Sequence, residues 1–154
     1  MLRKWLVFPA SAAALVAVGL IAGPGFSRAD DEETPLGKIM EKVNKADVMI
    51  RKNTRNQVAF KKGQKDVEKH AKEIVKLAKE AKVIKDAVKK AKDMAEPAKK
   101  WDGYIDELVK TAEALEKVAA KPNAVYANAK NAYSAVKKAC ADCHNDFRVD
   151  EGSF

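Results

Sequence analysis

From Leu36 onward, apolar residues return every three or four positions. Leu36, Ile39, Met40, Val43, Ala46 and Ile50 begin the pattern, and that spacing puts side chains on one face of an α-helix. This first helix is expected to start at Pro35 with Thr34 as its cap. It is expected to end near Gly63, which directly follows Lys61 and Lys62, because proline suits the first helical position and glycine the position past the last. The stripe weakens through Asn53-Thr54-Arg55-Asn56 before Val58 and Phe60, so a bend or fray is expected there. The second helix has the most regular stripe: Val67, His70, Ile74, Leu77, Ala81, Ile84, Val88 and Ala91, in alternating steps of three and four that suit the seam of an antiparallel bundle. Pro97 interrupts it. A third helix then carries Trp101, Tyr104, Ile105, Leu108, Ala112, Leu115 and Ala119, and Lys121-Pro122-Asn123 breaks the chain again. A fourth runs from about 123 to 148, with Val125, Ala129, Ala132, Val136, Ala139 and Cys143 on one face. Residues 149–154 have no stripe and are expected to fray. Four amphipathic helices joined by short breaks predict an all-α fold, an antiparallel four-helix bundle.

The N-terminal segment has a different pattern. Arg3 and Lys4 precede an uncharged apolar run from Trp5 to Ala22, and Ser27-Arg28-Ala29 offers small residues at the two positions an export peptidase reads. Residues 1–29 therefore read as a signal peptide cleaved after Ala29, with an uncleaved membrane anchor as the alternative; Pro9 and Gly19 favour cleavage. No cysteine lies near the end of the run, so lipoprotein processing is not supported. The mature chain would be one domain at 30–154, of 125 residues, long enough to bury a core. Removal of Arg3, Lys4 and Arg28 lowers the formal charge from +8 to +5. Scattered lysines make a solvated helix surface, or steer the chain toward an acidic partner face. Nucleic acid is excluded as a partner, because no basic cluster is interleaved with aromatics and the chain is expected to be exported to the periplasm.

Both cysteines of the chain and one of its two histidines fall within Cys140-Ala141-Asp142-Cys143-His144. Residues three apart share a helix face, so two thiols can add across the vinyl groups of one haem, and the adjacent imidazole can serve as proximal iron ligand. Other uses of these residues are weaker. A redox-active cysteine pair belongs at a helix start after a strand, zinc would need ligands beyond His70, and a disulfide closing so short a loop contributes little. Cys140 and Cys143 are thus the expected attachment points of one haem c, with His144 on its iron. His70, on the core stripe of the second helix, could ligate or simply pack as a core or boundary histidine. Arg148, one turn past His144, can pair with a haem propionate through its planar fork, or be a solvated cation favoured by the helix dipole.

The order of these features resembles the cytochrome c prime family, the class II c-type cytochromes, and in particular its low-spin branch. The resemblance rests on the signal peptide, the four helices, the haem motif near the C-terminus followed by Asn145-Asp146-Phe147-Arg148, the opening Leu36-Gly37-Lys38-Ile39-Met40, and Pro97 with Trp101. It implies that the first helix covers the other haem face, with Met40 as distal iron ligand. Met40 could otherwise be core filling, and Met49 and Met94 are less suited by position. In class I cytochromes the motif comes first and a ligand methionine follows, an order excluded here because no Met follows His144.

The implied function is periplasmic electron transfer with redox partner proteins, and no enzymatic step. The alternative from the same family is a five-coordinate protein that binds nitric oxide or carbon monoxide. A third reading is a haemless helical interaction protein whose lysine-rich surface is the functional feature. Homodimers are common in the resembled family, and nothing in the sequence marks an interface.

Overall fold

The computed structural model describes residues 34–91 and 93–147. The expected signal peptide, Arg148 and the tail at 149–154 lie outside the described residues. Within them the chain is all-helical, with no strand, and five helices pack against one another: α1 (Pro35–Thr54), α2 (Gln57–Lys82), α3 (Asp86–Lys90), α4 (Pro97–Ala119) and α5 (Tyr126–Phe147).

α1 begins as the sequence predicts, with Pro35 in the first turn and the Thr34 hydroxyl accepting from the Gly37 amide at 3.0 Å. It ends at Thr54, not near Gly63. Asn56 is extended and its side chain accepts from the Ala59 amide at 2.8 Å, so it caps a new helix. The Thr54 hydroxyl bonds back to the Ile50 carbonyl at 2.9 Å. Gly63 lies inside α2 as a kink, with φ −109° and ψ 16°. It is glycine because a Cβ there would meet the Asn53 side chain of the returning α1; the feature is a close approach, not a helix terminus.

α2 also stops earlier than expected, at Lys82. Ile84, Val88 and Ala91 belong to a separate turn around α3 and remain half-buried. The buried seam of α2 is Val67, Ala71, Ile74, Ala78 and Ala81, broadened by Val75 and Leu77. His70 is therefore at the boundary rather than in the core, with Nδ1 3.0 Å from Glu73 Oε2. α4 buries Trp101, Ile105, Leu108, Ala112, Leu115 and Ala119, as its spacing predicts, while Tyr104 is half-buried. Glu96 precedes it in the left-handed region (φ 51°), and Pro97 disfavours a right-handed helical conformation in the residue before it. α5 starts at Tyr126 and leaves Val125 exposed.

Cross-helix contacts fix the arrangement. Lys79–Glu113 and Lys82–Asp106 advance along α2 while descending α4, and Lys85, just past the end of α2, continues the order to Asp102, so these helices are antiparallel. Trp101 and Tyr104, near the start of α4, meet Phe147 at the end of α5, so this pair is antiparallel too. At the opposite end, the Gln64 amide donates to the carbonyls of Ala119 (2.7 Å) and Lys121 (2.8 Å) where α4 ends, and the Lys121 carbonyl also accepts from the Ala124 amide at 3.1 Å. Neighbouring pairs are α1 with α2, α2 with α4, α4 with α5, and α5 with α1, the last by far the least extensive.

Candidate functional site

The α1–α5 seam is where the chemistry collects. Tyr133 on α5 donates its hydroxyl to Asp47 Oδ1 on α1 at 2.8 Å, so these two positions face each other. Seven residues are almost two full helical turns, hence residues seven apart share a face. Met40 is seven before Asp47, and Cys140 is seven after Tyr133. In this antiparallel pair the two steps run toward the same end of the bundle. Met40 and Cys140 thus face the same seam from opposite sides, with Cys143 less than a turn further on. Met40, Cys140, Cys143 and Phe147 are all half-buried and packed against the core.

The two thiols are free and share one face of α5. Burial is the main reason the Cys140 thiol is pushed up to about 11, with the Asp47 carboxylate adding to it. Burial likewise pushes Cys143 up to about 11, reinforced by Cys140 and Asp146. Both are neutral thiols around neutral pH. Burial, then the bond to Asp47, also raises the Tyr133 hydroxyl. His144 is exposed, about 100° round the helix from Cys143.

α4 holds the last turn of α5. The Tyr104 hydroxyl donates to Asp146 Oδ2 at 2.8 Å, and Lys100 approaches the same carboxylate at 3.5 Å. Phe147 meets the rings of Trp101 and Tyr104 edge-on, with centroids 5.3 and 6.2 Å apart. Trp101 is 2% exposed, and its indole nitrogen has no hydrogen-bond partner among the described residues. An orphaned buried donor is uncommon and costs roughly 1–3 kcal/mol.

Three of the sequence-predicted residues, Cys140, Cys143 and Met40, therefore belong to one end of one seam, while His144, at the same end of α5, is exposed. The residues fit a haem chemically: two thiols spaced for thioether links, an adjacent imidazole, a methionine sulfur on the facing helix, and a buried donor lacking an acceptor. His70 lies under two turns from Gln64, toward the other end, and pairs with Glu73. Met49 is half-buried on α1 but outside the seven-residue register, and Met94 lies between α3 and α4. Among the described residues no group of three or more His, Cys, Asp or Glu side chains could hold a metal ion, so the zinc reading gains no further ligands. The Asp47–Tyr133 contact and the Tyr104–Asp146–Lys100 group were not anticipated, because both depend on which helices pair. No family model, curated protein or solved structure matches the chain.

Proposed function

We propose that the chain is a periplasmic electron-transfer protein of the cytochrome c prime kind, carrying one covalently attached haem c. The observation supporting this most strongly is that Cys140 and Cys143 of the Cys140-x-x-Cys143-His144 motif lie on the same short seam as Met40 of α1. When bound, the haem supplies a one-electron ferric/ferrous couple. Cys140 and Cys143 hold it by thioether links formed from their thiols. His144 would supply a nitrogen and Met40 a sulfur to its iron, a donor pair that favours a higher potential. The apolar residues of α1, α4 and α5 exclude water from the buried side. The chain transforms no substrate. Exposed lysines spread over its surface attract redox partners with an acidic docking face. No helix among the described residues is long and apolar enough to cross a membrane; export by residues 1–29 is part of the proposal.

Visible spectra of the mature, haem-loaded protein in both oxidation states test it. A low-spin wild type that becomes high-spin in Met40→Ala supports the carrier. A high-spin wild type that binds carbon monoxide readily would overturn the Met40 assignment and make the chain a gas-binding protein. A Met40→Ala variant that stays low-spin would transfer the ligand role to another residue.

A further inference from the structure

We infer that the Trp101 indole N–H is a binding donor for a carboxylate of the haem, so that α4 takes part in holding the group that α5 attaches. This rests on the haem reading above. Trp101 is buried to 2% exposure, yet its nitrogen has no acceptor among the described residues. Its ring lies against Phe147, one turn beyond the second thioether cysteine. Asp146, next to Phe147 in the chain, does not satisfy it and is engaged by the Tyr104 hydroxyl at 2.8 Å and by Lys100 at 3.5 Å. A buried donor of this kind is normally paired, so whatever enters this end of the bundle should bring an acceptor. A haem attached at Cys140 and Cys143 has its vinyl groups consumed and its ring nitrogens bound to iron. Its two carboxylates are the strong acceptors that remain. Lys100, next to Trp101 in the chain and 48% exposed at its side chain, adds a cation on the solvent side of the same turn.

The test uses the mature, haem-loaded protein in its diamagnetic ferrous state, labelled with nitrogen-15. The chain has two tryptophans, Trp5 and Trp101, and Trp101→Phe identifies the Trp101 indole signal while preserving an aromatic ring. The indole N–H is expected downfield and at least about tenfold slower to exchange than in the haem-free Cys140→Ala/Cys143→Ala chain. In Trp101→Phe, the haem carboxylate bending band in the resonance Raman spectrum should shift, with covalent haem retained. An indole signal unchanged by haem loading would overturn the inference. So would a protected indole with an unshifted carboxylate band, which would point to a buried water as the acceptor. Haem staining of the denatured wild type is read separately, so its absence would refute the haem reading itself and not merely the role of Trp101.

Discussion

The α2–α4 seam and the α1–α5 seam are built differently. Between α2 and α4 the contact is long, with fully buried Ala71, Ala78, Ala81, Ala112 and Ala119 among the core residues of the pair. Small side chains let backbones approach closely, so many dispersion contacts form along the whole length. Three lysine–carboxylate pairs line its edge; exposed pairs of this kind contribute well under about 1 kcal/mol each and mainly help fix register. Between α1 and α5 the contact is short, and the hydrogen bond of Tyr133 to Asp47 joins their side chains. The half-buried sulfur atoms of Met40, Cys140 and Cys143 are found there. One seam is packed along the length of its helices, and the other is short.

That contrast can be broken most severely on the α4 side. Leu115→Ala removes a fully buried side chain, and should lower unfolding free energy by about 2–5 kcal/mol in denaturant titration. Met40→Ala in the haem-free chain should cost only about 1 kcal/mol, because only part of its side chain leaves the core. Equal losses would mean that the two seams are equally packed.

The thiols sharpen the comparison through pH. In the haem-free chain with free cysteines, the unfolded state ionises its thiols near 9.0, while the folded state retains its protons to about 11. The stabilisation is fully present below 9.0 and is lost as pH rises toward 11. Denaturant midpoints should therefore fall more steeply over that window in the wild-type chain than in Cys140→Ala/Cys143→Ala. Parallel profiles would show that the thiols are not held in the seam. An effect as small as that of Met40→Ala belongs to Tyr133→Phe, which removes the hydrogen bond from Tyr133 to Asp47 and should cost about 1 kcal/mol, measured the same way.

Most of the helical framework was legible from periodicity, because each long helix buries one face and the stripe records it. Three features were hidden for local reasons. The α1–α2 turn lies inside what reads as one helix, since the Asn56 cap has little hydrophobic signature and Gly63 is needed for approach to Asn53 rather than for termination. The α2 stripe runs past Lys82 into α3, since the apolar rhythm continues across a change of direction. His70 matched the stripe, but α2 rotates so that Ala71 is buried and His70 meets Glu73. The cysteine–histidine motif was visible as a motif. Its placement opposite Met40 depended on the pairing of α1 with α5, which the spacing within either helix alone does not reveal. The Trp101 nitrogen is a matter of side-chain environment, and in the sequence Trp101 reads simply as core.

The account stands or falls on covalent haem at the α1–α5 seam. Denaturing electrophoresis with haem staining, together with intact mass, of the protein expressed with its export segment in a host that matures c-type cytochromes, tests this most directly. The expected result is one haem per chain retained through denaturation in the wild type, and none in Cys140→Ala/Cys143→Ala. A wild-type chain at its bare polypeptide mass with no stain, or a double variant that retains haem through denaturation, would contradict it.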